Sequence, residues 1–451
     1  MVPASFADRR ICILGLGYVG LTLAVAMARK GFQVHGVERR QEVLDLLASG
    51  APHFHEPGLA ERLKQVVENG ALTFSAQIPE KSNATVYIIT VGTPLDAQGH
   101  ARLDMVTNVA RDVARVMPEG SLVLLRSTVK IGTARNVVVP VLKESGKSFE
   151  IAGCPERTLE GRAVLELDYL PQIIGADDLN TLHRAAQLFS FLTPTTVRVS
   201  SLETAELIKL VDNTSRDVGF AFSNEIALAC DALGLSAAEV IRAGKLGYPR
   251  TNLPMPGPVG GPCLEKDPHI LCESLAEKGL SLPITTAARQ INEGQPRQIA
   301  SFVAGALKTR LSASSKPVIA LLGLAFKGQP ETDDLRGTMA RPIFDALKVE
   351  FPNAEWRGYD RIVKADDIQS FGLNPAAALE DALNGAHAAL ILNNHPAFQN
   401  MPIEKLAGVM AEPGLIYDCW NLFSETELKL PPNRAYFALG SQQRGKFTKW
   451  D

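Results

Sequence analysis

Residues 10–20 join an apolar run to three glycines, and this pattern restricts the possible fold more than any other. The run ends in Gly15-Leu16-Gly17-Tyr18-Val19-Gly20, and a helical pattern continues to Lys30, where Gly31 can end the helix. A second strand-like run, residues 32–37, ends in Glu38. This order of strand, glycine turn, helix, strand and acid predicts a dinucleotide-binding unit with the pyrophosphate at the helix N-terminus.

The acid after the second strand indicates which dinucleotide is bound. Glu38 would accept hydrogen bonds from the ribose hydroxyls of NAD, whereas the 2′-phosphate of NADP would face its carboxylate. Arg39 and Arg40 follow directly, so NADP stays open as the alternative. The predicted cofactor residues in this unit are Gly15, Gly17, Tyr18, Val19, Gly20, Glu38 and Arg39.

Strand-like and helical patterns alternate through the first 200 residues. Strands are predicted at 85–91, 121–125, 149–153 and 171–175, and helices near 57–67, 104–116, 133–144 and 178–190. This alternation predicts a parallel, doubly wound sheet with its ligands at the carboxyl ends of the strands. Thr93, Pro94 and Thr128 follow the first two of these strands and are predicted to bind the cofactor, and Glu156, Arg157 and Glu160 follow the third.

Residues 201–310 show helical patterns. One long helix is predicted from Glu203 to Leu233 and is ended by Gly234, and others cover 236–246, 266–279 and 284–309. Lys209 and Asn213 share one face of the long helix, where they could hold a developing oxyanion. The alternative is that Lys209 is an ordinary surface lysine. A helical block between two α/β units also predicts pairing of subunits into a homodimer or higher oligomer.

The helical region contains one segment, residues 256–268, that is rich in glycine and proline around Cys263. Its composition excludes a regular helix or a central strand, and Gly260 lets a ligand approach the backbone. Lys266 could lower the thiol pKa, and Asp267 could orient a partner or take up a proton. The alternative is an inert cysteine in an ordinary loop.

The last part of the chain repeats the alternation of strands and helices. Strands are predicted at 316–322, 355–359, 388–392 and 414–418. Lys327 and Arg336 follow the first of them and suit a diphosphate, although both could instead pair with Asp333 and Asp334. The predicted fold is therefore α/β, with two Rossmann-like doubly wound domains joined by a central all-helical domain with a long connecting helix. The expected limits are 1–200, 201–310 and 311–451.

Charge and cysteine usage restrict the partners and the compartment. A net charge of −3 over 451 residues does not indicate binding to nucleic acid or to an anionic membrane. The uncharged stretch at 11–28 is explained by a buried strand and helix, since glycines interrupt it. Six scattered cysteines without a Cys-x-x-Cys pair predict reduced thiols in a cytoplasmic protein and no metal site.

Seven motifs together resemble the UDP-glucose/GDP-mannose dehydrogenase family over nearly the whole chain. They are the glycine turn at 15–21, Gly-Thr-Pro at 92–94, Ser-Thr-Val at 127–129, Pro-Glu at 155–156, Glu-x-x-Lys-x-x-x-Asn at 206–213, Gly-Gly-x-Cys-x-x-x-Asp at 260–267 and Phe-Lys…Asp-Asp-Leu-Arg at 326–336.

The resemblance implies oxidation of a sugar C6 alcohol to a carboxylate with two NAD⁺. By resemblance Cys263 is the nucleophile, while Lys209 and Asn213 stabilise the oxyanion, with Lys209 also a candidate for proton transfer. Asp267 would assist Lys209 or position water, and Thr128 and Glu160 would activate that water. The resemblance places the following residues at the UDP-sugar: Glu156, Arg157, Arg250, Asn252, Gly260, Lys327 and Arg336. Products of the family usually enter polysaccharides.

Details of the motifs distinguish the branches of the family that act on different UDP-sugars. Residues 155–157 and 249–252 look like the branch that oxidises UDP-N-acetylhexosamines such as UDP-N-acetylmannosamine. The lysine before Asp267 is closer to UDP-glucose dehydrogenases, while Pro262 in place of a histidine and Glu160 in place of a proline depart from the N-acetylhexosamine branch. The N-acetylhexosamine branch is the prediction, and UDP-glucose is the alternative. A two-electron hydroxyacid-type dehydrogenase and a non-catalytic nucleotide-binding regulator remain as alternatives. A non-catalytic regulator would lack at least one of the reactive residues named above, and the sequence contains all of them.

Overall fold

The structure is a computed structural model that describes residues 1–311, 316–424 and 427–442. The chain divides into two compact units. The first contains residues 1–213 and 269–281, and the second contains residues 214–268 and those from 282 onward. The three domain limits given above stay a prediction.

The first unit is built on an eight-stranded sheet with the strand order β3-β2-β1-β4-β5-β6-β7-β8. Adjacent strands are parallel except for β6 and β7, which are antiparallel. The strands are β1 Arg10–Leu14, β2 Gln33–Val37, β3 Leu72–Ser75, β4 Val86–Ile89, β5 Ser121–Leu125, β6 Phe149–Gly153, β7 Gln172–Gly175 and β8 Thr196–Val199.

Helices cover both faces of this sheet. Alternate residues of β1 point to opposite faces, so Ile11 and Ile13 enter one core while Cys12 and Leu14 enter the other. The helices are α1 Tyr18–Lys30, α2 Gln41–Ala48, α3 Leu59–Glu68, α4 Asp104–Val116, α5 Val139–Lys143, α6 Ala163–Glu166 and α7 Leu179–Phe189. A π-helical turn, Ala134–Val138, leads directly into α5.

Residues 202–308, which are described throughout, contain helices and loops. The helices are α8 Leu202–Leu233, α9 Ala237–Lys245, α10 Gly261–Leu264, α11 Asp267–Ala276 and α12 Pro283–Lys308. The long helix ends at Leu233, and Gly234 follows it with a φ of +70°, which suits glycine. The prediction that the Cys263 segment excludes a helix is wrong for one turn, α10. Pro262 lies in its first turn, where a missing N–H costs little.

The second unit contains a six-stranded parallel sheet with the order β11-β10-β9-β12-β13-β14. This order repeats that of the first six strands of the other sheet. The strands are β9 Val318–Leu322, β10 Glu355–Tyr359, β11 Asn374–Pro375, β12 Ala388–Ile391, β13 Gly414–Asp418 and β14 Arg434–Ala438, and the helices are α13 Ala340–Glu350, α14 Ala365–Ser370, α15 Leu379–Leu383, α16 Pro396–Gln399 and α17 Ile403–Gly408. Two parallel, doubly wound sheets and a helical stretch confirm the predicted fold class.

Candidate active site

The glycine turn between β1 and α1 has the geometry that a dinucleotide requires. Gly15 has a φ of +95°, and a Cβ on Gly20 would lie 1.9 Å from the Gly15 carbonyl oxygen. A Cβ on Gly17 would meet none of the described atoms within 4 Å. Two glycines therefore allow the helix to pack against the turn, and Gly17 leaves the N-terminus of α1, with Tyr18 and Val19, open to a pyrophosphate.

Glu38 directly follows β2, and its ionised carboxylate accepts hydrogen bonds. Its carboxylate accepts hydrogen bonds from the Leu16 N–H at 3.3 Å and from the backbone N–H of Arg40 at 3.1 Å. Burial raises the pKa of Glu38, but the hydrogen bonds and charge of Arg40 outweigh it, so the pKa lies below its ordinary value. Arg39 pairs with Asp112 at 3.2 Å. Both arginines that left NADP open therefore have carboxylate partners, and the site fits NAD.

The carboxyl ends of β1, β4 and β5 are joined by side-chain hydrogen bonds. The Thr90 hydroxyl donates to the Gly15 carbonyl oxygen at 2.7 Å, and the Ser127 hydroxyl donates to that of Val91 at 2.6 Å. The buried Thr93 hydroxyl donates to the carbonyl oxygen of Thr128. The structure thus brings Thr93, Pro94 and Thr128 to the same sheet edge as the glycine turn.

The loop after β6 is fixed by a buried ion pair that sequence reasoning missed. Arg126 binds the Glu156 carboxylate and donates to the Cys154 carbonyl oxygen at 3.0 Å and to Gln172 Oε1 at 2.8 Å. The other Glu156 oxygen accepts the Thr158 N–H at 2.8 Å. Burial raises the pKa of Glu156, but the Arg126 charge and these donors hold it below its ordinary value.

A second set of contacts holds the part of this loop that carries Glu160. The Tyr18 hydroxyl donates to the Glu56 carboxylate, and the Gly161 N–H donates to that carboxylate at 2.7 Å and to the Tyr18 oxygen at 2.8 Å. Burial and Glu56 raise the pKa of Tyr18 well above its ordinary value. The sequence alone did not identify Glu56, because no local pattern shows that its carboxylate accepts the Gly161 N–H, 105 residues further along the chain.

On α8, the two residues predicted to hold an oxyanion are both buried. Lys209 is 8% exposed and Asn213 is 5% exposed, which rules out a surface position for the lysine. One turn earlier, the Glu206 carboxylate accepts the Gly132 N–H at 2.5 Å and the Ala134 N–H at 2.8 Å. Burial raises the pKa of Glu206 to about 7. On the loop after β6, Arg157 lies 3.6 Å from Asp212, also on α8.

Cys263 lies in the second unit with an exposed side chain. Its loop contacts the segment after β9, where the Gly261 N–H donates to the Gly337 carbonyl oxygen at 2.7 Å. A Cβ on Gly260 would lie 2.1 Å from that same oxygen, and one on Gly261 would lie 2.4 Å from the Phe326 ring. These two positions require glycine because the two segments are so close.

Several charged residues of the predicted site also lie in the second unit. The Lys266 ammonium lies 2.6 Å from the fully buried Asp267 carboxylate, so its charge is balanced there. Arg336 pairs with Asp334 at 2.6 Å, which is the alternative that the sequence left open, although its side chain is 64% exposed. Lys327 lies over the Phe326 ring at 5.2 Å. Arg250 and Asn252 are exposed on the loop before α10.

The predicted site residues are therefore divided between the units. The cofactor residues, Thr128, Glu156, Arg157, Glu160, Lys209 and Asn213 belong to the first. The remaining predicted residues, Arg250, Asn252, Gly260, Cys263, Asp267, Lys327 and Arg336, belong to the second. Within the described ranges, no helix is long and apolar enough to cross a membrane.

The sheet order, glycine turn and Glu38 define the first unit as the dinucleotide-binding part of an oxidoreductase. Three domains of one family match the chain in succession: the NAD binding domain over residues 9–193, the central domain over 203–294 and the UDP binding domain over 320–425. The chain belongs to the UDP-glucose/GDP-mannose dehydrogenase family.

Individual relatives support this assignment. The chain is 33% identical over 422 residues to the UDP-N-acetyl-D-mannosamine dehydrogenase of Pyrococcus horikoshii, covering 92% of this chain and 96% of the relative. The solved structure of UDP-D-ManNAc dehydrogenase from P. horikoshii matches with a TM-score of 0.85 at 32% identity, covering 96% of this chain and 100% of that one. A UDP-glucose dehydrogenase from Pyrobaculum islandicum matches with a TM-score of 0.86 at 26% identity, covering 98% and 99%.

These findings confirm the predicted family, the predicted class of NAD-dependent nucleotide-sugar dehydrogenase, and NAD as the cofactor. The matching UDP binding domain agrees with a UDP-sugar as the partner. The roles of the individual site residues stay predictions.

Proposed function

We propose that the protein oxidises the C6 hydroxyl of UDP-N-acetylmannosamine to the carboxylate, with reduction of two NAD⁺ and consumption of one water. The observation that carries this proposal is the exposed thiol of Cys263, whose loop contacts residues 326–337 of the family's UDP binding domain. The sugar is supported by relatives named as UDP-N-acetyl-D-mannosamine dehydrogenases.

The chemistry divides into two oxidations and a hydrolysis. Loss of a hydride and a proton from the alcohol gives an aldehyde, and the Cys263 thiolate adds to its carbonyl carbon to form a thiohemiacetal. Loss of a second hydride, together with the hydroxyl proton, gives a thioester, which water cleaves to the carboxylate and the thiol. NAD⁺ bound at the glycine turn and Glu38 supplies the hydride acceptor.

The remaining residues act around these steps. Lys209 and Asn213 stabilise the oxyanion, because an ammonium and an amide both donate to a developing negative charge, and Lys209 also transfers a proton. Asp267 assists Lys209 or positions water, and Thr128 and Glu160 orient the water that cleaves the thioester. The residues proposed to bind the UDP-sugar are Glu156, Arg157, Arg250, Asn252, Gly260, Lys327 and Arg336.

We also propose that the protein acts in the cytoplasm as a homodimer or higher homo-oligomer. Large apolar side chains exposed along α8 include Leu207, Val211, Phe222 and Leu228, at 37–48%. Apolar surface of this extent on a long helix favours burial against a second copy.

The test is the number of NADH formed per sugar consumed, with four substrates compared: UDP-N-acetylmannosamine, UDP-N-acetylglucosamine, UDP-N-acetylgalactosamine and UDP-glucose. Two NADH per UDP-N-acetylmannosamine are expected. Cys263→Ser should abolish turnover, while the matched Cys272→Ser on α11 should retain it.

Other results would change the proposal in defined ways. Two NADH with UDP-glucose alone would keep the thioester route and establish UDP-glucose, the second candidate, which Lys266 favours. One NADH per sugar, together with an active Cys263→Ala, would indicate a two-electron dehydrogenase in which the thiol is not the nucleophile.

A further inference from the structure

Four polar side chains are buried in the second unit between α8 and α12. Asp217, Asn224, Arg289 and Asn292 are each at most 3% exposed. Arg289 Nη1 lies 2.7 Å from Asp217 Oδ1, and Asn292 Nδ2 donates to that same oxygen at 2.9 Å. Asn224 Nδ2 donates to Asn292 Oδ1 at 3.0 Å, so the four side chains form one continuous network.

The network contacts both ends of the segment that carries Cys263. At its start, Asn224 Oδ1 accepts the Gly257 N–H at 2.9 Å, and Asn224 Nδ2 donates to the Gly257 carbonyl oxygen at 3.1 Å. At its end, Arg289 Nη1 donates to the carbonyl oxygen of Leu264 at 3.2 Å. Leu264 directly follows Cys263 and is the last residue of α10, whose terminal carbonyls have no partner within the helix.

Stability alone is a poor explanation for this arrangement. Removing two charges from water is costly, and a buried ion pair is often no more stabilising than apolar residues of the same volume. The second oxygen of Asp217 accepts no hydrogen bond from any described residue, and burial raises the pKa of Asp217. A buried network with these energetic costs is better explained by the conformation that it imposes on the Cys263 segment.

Residues outside the network also contact the segment. A Cβ on Gly257 would lie 2.8 Å from the Trp420 ring, and the Gly261 N–H is bound to Gly337. A segment this rich in glycine and proline has little secondary structure of its own, so its shape depends on such contacts.

We propose that Arg289, Asp217, Asn292 and Asn224 are positioning residues that hold residues 257–264 in the conformation that presents the Cys263 thiol for reaction. The inference rests on the proposed function in one respect, namely that Cys263 is the nucleophile. Arg289 is the central member because its planar guanidinium contacts Asp217, Glu293 and the loop at once, which a lysine ammonium cannot do.

The test compares Arg289→Lys with Arg297→Lys, the same substitution at an exposed position on the same helix. For Arg289→Lys we expect kcat to fall at least tenfold, while KM for the UDP-sugar changes less than threefold. Amide hydrogen exchange should accelerate at least tenfold in residues 257–264 and stay unchanged in β9 and β12. Arg297→Lys should match the unmodified protein in all three measurements.

A folded Arg289→Lys variant with unchanged kcat and unchanged exchange in residues 257–264 would overturn the inference. If that variant does not fold, Asn224→Asp provides the test. This substitution keeps the shape of the side chain but removes the amide that donates to the Gly257 carbonyl oxygen. It should show the same fall in kcat and the same local exchange, and a folded Asn224→Asp with normal kcat overturns the inference. Cys263→Ser separates the two proposals. If that variant turns over normally, the proposed function fails and the inference fails with it; if it is inactive while a folded Arg289→Lys keeps normal kcat and normal exchange, only the inference fails.

Discussion

The carboxylate of Glu38 lies between the backbone of the glycine turn and the guanidinium of Arg40. It accepts N–H groups from both, and its low pKa keeps it ionised at neutral pH. A ribose with two free hydroxyls can donate to this carboxylate, whereas a 2′-phosphate would be repelled. We therefore expect this one side chain to decide between NAD⁺ and NADP⁺.

We predict that Glu38→Ala raises KM for NAD⁺ about 10- to 100-fold, since hydrogen bonds to a charged group are worth about 1.5–3 kcal/mol. The change should also raise the activity with NADP⁺ relative to NAD⁺, because Arg40 loses its carboxylate partner. Steady-state kinetics with both cofactors measure this. Glu42→Ala, at an exposed position on α2, is the control, and equal KM values for the two variants would contradict the prediction.

At the scale of elements, close packing decides where glycine is required. The glycines of α1 and α12 show the contrast, because Gly20 faces the Gly15 carbonyl oxygen whereas a Cβ on Gly305 would meet none of the described atoms within 4 Å. Helix propensity favours alanine at both positions, so only the surroundings distinguish them.

We therefore predict opposite effects for one substitution in two helices. Gly20→Ala should lower the free energy of unfolding by about 3 kcal/mol through overpacking and weaken NAD⁺ binding. Gly305→Ala should raise the free energy of unfolding by about 1 kcal/mol, because alanine loses less backbone entropy. Urea unfolding and calorimetric titration with NAD⁺ measure both effects, and a stable Gly20→Ala variant with normal affinity would count against this account of the turn.

Glu206 links α8 to the segment that leads into the π-helical turn. It binds the Gly132 and Ala134 N–H groups, yet burial raises its pKa from 4.5 to about 7. As pH rises from 4.5 to 7, the unfolded chain loses this proton before the folded chain does. The folded state is therefore destabilised progressively across that window.

We predict that the free energy of unfolding of the unmodified protein falls by about 3 kcal/mol relative to Glu206→Gln as pH rises from 4.5 to about 7. The difference should stay constant above that window, where both folded and unfolded chains are ionised. Chemical unfolding of both proteins at intervals of half a pH unit measures it. Parallel curves across the window would show that Glu206 is ionised in the folded chain throughout.

At the scale of the whole molecule, the proposed pairing of two copies through the exposed apolar residues of α8 can be tested. A dimer would have a mass of about twice 48.6 kDa. We predict that Phe222→Glu shifts the mass measured by light scattering toward the monomer, because a carboxylate would be buried without a partner. Val349→Glu, an equally apolar-to-acidic change at an exposed position on α13, should leave the mass unchanged. A Phe222→Glu protein with the mass of the unmodified protein would place the interface elsewhere.

Much of the fold could be predicted because its central strands and longer helices are specified by near neighbours. The predicted helix at 104–116 matches α4, and the predicted strands at 121–125 and 149–153 match β5 and β6. Strands β3, β8, β11 and β14 were not predicted. All four lie at sheet edges, and β11 has only two residues, so periodicity in such short segments gives little signal.

The sequence by itself determined the alternation of elements, the glycine turn with its acid, and the identity of the thiol segment, because each is encoded within a few consecutive residues. Only the tertiary structure decided how the loops of the site are held. Arg126 meets Glu156 across 30 residues, Glu56 meets Gly161 across 105, and Arg289 meets Asp217 across 72. These pairs form because the packing of sheets and helices brings distant side chains together in the interior, and no local pattern of residues records that packing.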